Sequence, residues 1–191
     1  MSSSQPIAPS LERDLFSRAL LRGTFTLRSG RVSDRYFDKY RATTDPALLE
    51  PIAVRMAELV SALEPAPELI VAPELGAVSL AAALSLRTGL PFVIVRGAGK
   101  EYGTAQQIEG TLHPGAQAVL VEDVGTSGGA AIAAAQIARA AGAQISSCIC
   151  LLDRGEGGRE ALQDAHLELH SVVDADALQR AWDQGLGTPV E

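Results

Sequence analysis

The chain has 191 residues and a formal net charge of −7, with 47% hydrophobic but only 4% aromatic residues. That length supports one full core, and the abundance of Val, Ile, Leu and Ala suits helices packed on a parallel sheet. The acidic balance excludes a polyanion-binding surface, because nucleic-acid binders carry a basic patch or stripe. No nucleic-acid partner is therefore expected, and any anionic ligand must be held locally.

Residues 1–9 lack the apolar run of a secretory signal and are expected to form a disordered tail ahead of a single domain over residues 10–191. Ser10 can cap a first helix, LERDLFSRALLR, which Gly23 ends. Asp45-Pro46 opens a second helix toward Leu63, with a kink expected at Pro51. ELIVA, PFVIV, AQAVLVE and ISSCICLL read as central strands and ELHSVV as a further candidate, with connecting helices over residues 77–88 and 129–141. This alternation is the signature of an α/β protein with a parallel central sheet flanked by helices. No repeat, low-complexity tract or linker interrupts it.

The alanine-rich stretch after Gly128 is broken by Gln136 and Arg139 before it reaches the roughly 18 apolar residues of a membrane span, so no membrane segment is expected. Cys148 and Cys150 alternate along ISSCICLL, share one side of a strand and read as small buried hydrophobes of a reduced, cytoplasmic protein. His166 and His170 are spaced for a metal only on a helix, whereas HLELHSVV alternates like a strand, so they are expected in solvent. His113 beside Pro114 reads as a turn residue. Of the 16 basic residues only Lys39 and Lys100 are lysines.

The most informative segment is VLVEDVGTSGGA, residues 119–130. Val119, Leu120 and Val121 read as a buried strand and the residues from Gly128 as a helix, which puts the polar residues between them in the connecting turn. Unpaired N–H groups at a helix start carry partial positive charge and bind a phosphate without any lysine. Gly125, Gly128 and Gly129 let the backbone approach, and Thr126 and Ser127 add hydroxyls. Glu122 and Asp123 suit the vicinal hydroxyls of a ribose, so one site would grip a ribose 5-phosphate at both ends. An ordinary strand–turn–helix connection with solvated acids is the competing reading.

The pattern is neither G-x-G-x-x-G nor the Walker motif, because no Lys follows the glycines. It resembles the phosphoribosyl pyrophosphate (PRPP) motif of the type I phosphoribosyltransferases, in which two acids precede a Thr/Ser/Gly-rich turn. Ala130 stands where many members carry Ser or Thr.

A second segment, RGAGKEYGTAQQIEGTLHPG, is a long structureless stretch inside a compact domain, which marks a functional loop or disorder. Its glycines make it flexible, and Arg96, Lys100 and Tyr102 give it groups that could close over a pyrophosphate and exclude water. Two further segments, LRSGRVSDRYFDKYRATTDP and LDRGEGG, offer Arg28, Arg154 and the Tyr36-Phe37 pair as cations and an aromatic wall for a small, flat, anionic ligand. With these in order, residues 20–176 are similar to the orotate phosphoribosyltransferases.

That resemblance implies the type I phosphoribosyltransferase fold, with a core over about residues 46–165, a small hood from residues 10–45 plus the C-terminal segment, and a flexible loop. It implies PRPP and orotate as substrates, Mg²⁺ as cofactor bound through substrate and water with no direct protein ligand, and a homodimer sharing the loop between subunits. By position, Glu122 and Asp123 would hold the ribose hydroxyls, and Val124, Gly125, Thr126, Ser127, Gly128, Gly129 and Ala130 would surround the 5-phosphate. Arg28, Tyr36, Phe37, Thr126 and Arg154 would face orotate. Arg96, Lys100 and Tyr102 would engage pyrophosphate, with Arg96, Lys100 and Asp123 carrying catalysis. APELGAVSLA, from Ala72, takes the place of the family's pyrophosphate-contacting turn.

The departures leave alternatives open. Arg96-Gly97-Ala98 replaces the usual Arg-Lys-Glu, Arg28 stands where Lys is usual, and Leu75-Gly76 replaces a Tyr-Lys pair found in some members. Fewer cations for pyrophosphate would fit weaker binding, a heavier dependence on Mg²⁺, or a non-catalytic PRPP-binding regulator. A phosphoribosyltransferase for another base such as a purine is a further alternative, against which Tyr36-Phe37 with Arg154 favour an acidic pyrimidine.

Overall fold

The computed structural model describes residues 9–26, 30, 32–97 and 107–190. Two sheets organise them. The larger is built from β3 (Leu69–Pro73), β4 (Phe92–Val95), β5 (Ile108–Glu109), β6 (Gln117–Gly125), β7 (Gln144–Asp153) and β8 (Glu168–Val173) in the order β5-β4-β3-β6-β7-β8. All its neighbouring pairs are parallel except β4 with β5, where the chain returns antiparallel after residue 106. β5 lies inside the stretch expected to have no structure, and the correction follows from the unpaired edge of β4, whose Ile94 and Val95 pair with Glu109 and Ile108.

The parallel strands are buried on both faces, as their near-continuous apolar runs require. Because strand residues alternate in direction, Ile70, Val119, Val121, Ile149 and Leu151 enter one core while Leu69, Val71, Leu120, Cys148 and Cys150 enter the other. The first core is covered by α1 (Pro9–Ala19), α3 (Pro46–Ser61), α4 (Val78–Thr88) and α7 (Ala175–Asp183), which contribute Leu15, Phe16, Ile52, Met56, Leu80 and Ala181. The second is covered by α5 (Gly129–Ala140), whose Ala131, Ala134, Ala135 and Ala138 form a small-residue face, and by α6 (Gly158–Asp164). Both cysteines are free and fully buried. Burial pushes both thiols up, assisted by Cys150 for Cys148 and by Asp153 for Cys150, so neither forms a reactive thiolate.

The smaller sheet contains β1 (Leu20–Thr26), β2 (Val32–Phe37) and β9 (Thr188–Pro189), in the order β2-β1-β9. Here the sequence expectation is corrected. The first helix begins at Pro9, ahead of Ser10, and ends at Ala19, so Leu20, Leu21 and Arg22 are strand rather than helix. Good helix formers give way because Leu20, Leu21 and Arg22 pair with Phe37, Tyr36 and Arg35, and Leu21 and Arg22 also pair with Thr188 and Pro189. Tertiary pairing outweighs a propensity difference of a few tenths of a kcal/mol per residue. Gly23 is no helix stop but a close-approach position, where a Cβ would lie 2.9 Å from Val190 Cγ2. Trp182 locks α7 onto this sheet, with the Arg22 guanidinium 3.6 Å from its ring centre and Arg35 at 5.2 Å.

Between the sheets runs α2 (Lys39–Thr43), capped by Asp38, whose carboxylate accepts from Tyr40 N and Arg41 N. Asp45 caps α3 in the same way through Ala47 N at 2.9 Å, and α3 continues through Pro51. No described helix is long and apolar enough to cross a membrane.

Candidate active site at the strand ends

β6 continues past Glu122, where the expected strand AQAVLVE ends, to Gly125, so Asp123 and Val124 also lie on the strand. The reason is β7, which is long enough to keep the ladder going: Glu122 pairs with Cys150, Val124 with Leu152 and Gly125 with Asp153. The strand holds Asp123 rigidly, 5% exposed, at the edge of the first core.

The turn after β3 comes down onto Asp123. A Cβ on Gly76 would overlap Asp123 Oδ2 and lie 2.9 Å from Lys39 Nζ, so position 76 admits no side chain while Asp123 keeps its place. Lys39 Nζ meets Asp123 Oδ2 at 2.5 Å. Burial alone would lower the Lys39 ammonium, but the hydrogen bond and charge of Asp123 outweigh it and hold the group above its ordinary value. Glu122 Oε1 accepts from Asp123 N at 2.9 Å. Burial, then the charge of Asp123, push the Glu122 carboxyl up to about 8, so it is largely protonated at neutral pH.

Beyond Gly125 the chain turns through Thr126 and Ser127 into α5. Gly128 occupies the N-cap position at φ 76° with no side-chain capping bond, and Ser127, Gly129 and Ala130 are exposed. The first N–H groups of α5 thus lack a side-chain acceptor, an arrangement that can hold an anion. Gly158, at the start of α6, lets that helix press against the turn: a Cβ there would lie 2.5 Å from Thr126 O.

Arg154 follows β7 and its N–H bonds Gly125 O at 3.0 Å, which ties it to the phosphate turn. Buried Asp153 steadies this loop, accepting from Gly155 N and from Arg159, each at 2.9 Å. The Arg154 guanidinium meets Glu156 at 2.9 Å and lines a cleft of about 410 Å³ with Phe37, Ser33, Arg35 and Ala175. Phe37 and Arg154 therefore share a wall, as the sequence suggested. The Tyr36 side chain does not join them: successive strand residues point to opposite faces, and its ring packs 5.5 Å from Phe25.

Arg96 follows β4 directly, its N–H bonding Gln107 O at 2.8 Å, and its guanidinium lies 3.8 Å from both Glu74 and Glu109. Glu74 belongs to the turn after β3 and also accepts from Gly97 N. Arg96 thus borders the site from the side opposite Arg154, at the base of the loop. Arg28, Ala98, Lys100 and Tyr102 lie outside the described residues.

Lys39 and Gly76 are the site residues that sequence reasoning missed. The available signal was compositional, since Lys39 is one of two lysines in an arginine-rich chain. His166 is exposed and His170 half-buried, 3.9 Å from Glu168, and the described residues contain no group of three or more His, Cys, Asp or Glu able to hold a metal.

The family model for the phosphoribosyl transferase domain matches residues 43–170. The orotate phosphoribosyltransferase of Methanocella arvoryzae is 40% identical over 156 residues, 82% of this chain and 87% of its own. Among solved structures, the orotate phosphoribosyltransferase of Aeropyrum pernix superposes with a TM-score of 0.80 at 31% identity, over 93% of this chain and 99% of the other. That of Mycobacterium tuberculosis in complex with PRPP gives 0.71 at 27% identity, over 89% and 95%. The matched region takes in the acid pair, the open start of α5 and Arg154, and on these likenesses the chain belongs to the phosphoribosyl transferase family, among its orotate phosphoribosyltransferases.

Proposed function

We propose that this protein transfers the phosphoribosyl group of PRPP to N1 of orotate, releasing pyrophosphate and forming orotidine 5′-monophosphate for pyrimidine (UMP) synthesis. The observation that carries this reading is the continuity of β6 and α5, which sets two acids and an uncapped helix start on one rigid element beside Arg154.

The ribose 5-phosphate sits on the N–H groups of residues 125–130, with the hydroxyls of Thr126 and Ser127, while Glu122 and Asp123 take the ribose hydroxyls. Arg154 exchanges Glu156 for the orotate carboxylate, a bidentate partner that its planar fork of donors matches. Phe37 walls the base. Orotate arrives already anionic, so alignment of N1 with C1′ matters more than a strong base. The C1′–O bond breaks with its electron pair leaving on pyrophosphate, the N1–C1′ bond forms, and the N1 proton passes to the departing pyrophosphate. The Asp123 carboxylate opposes positive charge developing on the ribose, and Arg96, Lys100 and Tyr102 act on the leaving group.

Mg²⁺ is the cofactor in this reading. Glu122 and Asp123 would offer carboxyl oxygens to an ion that keeps several waters and takes most of its ligands from substrate phosphates, and when bound it would supply charge neutralisation on the pyrophosphate and ribose oxygens. A symmetric homodimer, in which the loop beginning at Arg96 serves the neighbouring site, completes the reading, as does a cytoplasmic setting in which the buried thiols stay reduced.

The test is the loss of orotate absorbance when purified protein meets orotate, PRPP and Mg²⁺, with adenine, guanine and uracil as competing bases. Rapid loss unaffected by the other bases is the expected result. No loss, with PRPP binding retained, would overturn it in favour of a regulator.

A further inference from the structure

Lys39 is the residue whose placement the reaction as described above does not use. It comes from α2, between the two sheets, and its position is set from both ends. Asp38 caps the helix and fixes the backbone, and Asp123 holds the ammonium across the Gly76 turn. Its side chain is 31% exposed, so it is not sealed in the core.

The charges around the site show why this matters. The Arg96 guanidinium is flanked by Glu74 and Glu109, and that of Arg154 by Glu156. Lys39 is the cation that touches the acid pair itself. An ammonium has three donors and no acceptor, and Asp123 Oδ2 takes one of them. In PRPP the pyrophosphate-bearing C1′ adjoins the carbon that carries the 2′-hydroxyl. A cation that touches the acid proposed to take the ribose hydroxyls, and lies 2.9 Å from where a Cβ on Gly76 would stand, is therefore placed beside the leaving group.

Resting on the phosphoribosyltransferase reading, we propose that Lys39 is a pyrophosphate ligand, its ammonium bridging Asp123 and the leaving-group oxygens over the Gly76 turn. When the ribose hydroxyls donate to Asp123, the ammonium keeps one hydrogen bond to that carboxylate and turns its other donors to pyrophosphate. The cation missing after Arg96, where Gly97 and Ala98 stand, is supplied from α2 instead.

Two probes separate this role from a merely structural one, because pyrophosphate lacks the ribose and ribose 5-phosphate lacks the pyrophosphate. Binding of each is measured by calorimetry, with Mg²⁺, for the parent, Lys39→Met and Lys39→Arg, after circular dichroism shows each variant folded. Lys39→Met is expected to weaken pyrophosphate by on the order of tenfold or more, the worth of one charge-assisted hydrogen bond, and ribose 5-phosphate by less than about threefold. Lys39→Arg is expected to restore most of the loss, and in steady state KM for PRPP should rise while KM for orotate holds. Unchanged pyrophosphate affinity in Lys39→Met, or equal weakening of both probes, would overturn the proposal and leave Lys39 as a holder of Asp123. Parent protein that binds neither probe would overturn the phosphoribosyltransferase reading and this role together.

Discussion

The two sheets solve different problems. The larger is assembled from strands close in sequence and buried on both faces, and it presents Asp123, the phosphate turn and Arg154 from adjacent strand ends. The smaller is assembled from both ends of the described chain, alternates exposed and half-buried residues along β2, and is fastened by Arg22 and Arg35 on Trp182. In the proposed reaction the sugar and phosphate are met by the larger sheet. The base and Lys39 would depend on how the smaller sheet and α2 dock onto it. Rigidity and specificity are thus built from separate parts of the chain.

The sharpest way to break the rigid side is Gly76→Ala. The new methyl overlaps Asp123 Oδ2, and the carboxylate must swing out of the site. We expect kcat/KM to fall by about a hundredfold or more, equivalent to roughly 2.7 kcal/mol in the transition state, with the circular dichroism spectrum retained. Activity near that of the parent would show that Asp123 need not stay where β6 holds it.

On the other sheet, Trp182→Ala removes the ring under two guanidiniums. Thermal unfolding should register a loss of about 1–2 kcal/mol, and KM for orotate should rise while that for PRPP stays within about twofold. A matched rise in both constants would mean that the two sheets do not divide the substrates.

The smallest effect near neutrality concerns Glu122. Its folded value, about 8, lies above the ordinary 4.5, so the folded state holds the proton more tightly. Its contribution to stability is therefore full below about 4.5 and is lost as pH rises through about 8. Urea unfolding across that window should show parent stability declining relative to Glu122→Gln, which has no proton to lose. Parallel profiles would place the carboxyl at its ordinary value.

The legible and illegible parts of the molecule divide along the same line. ELIVA, PFVIV, AQAVLVE, ISSCICLL and ELHSVV are strands, Asp45-Pro46 starts α3, and Gly129 starts α5, because continuous apolar runs and caps are local signals. The phosphate turn was legible for the same reason. LLRGTFT was not, since what makes it a strand is Thr188 and the VSDRYF segment, and neither is visible in its own composition. The end of β6 was read three residues short, because Asp123 and Gly125 suggested a turn, while the ladder to β7 that keeps the strand extended to Gly125 is a tertiary fact. Lys39 was invisible as a site residue because its contacts with Asp123 and Gly76 span distant parts of the chain.

The pairing of Leu21 with Thr188 also orders events in time. Nearly all of the chain lies between these residues, and closing so long a loop is entropically costly until the intervening core has brought its ends together. The larger sheet should therefore mature first in folding, with the smaller sheet annealing onto it last. In the proposed division of the site, a nascent or partly unfolded molecule would recognise ribose phosphate before it could discriminate among bases.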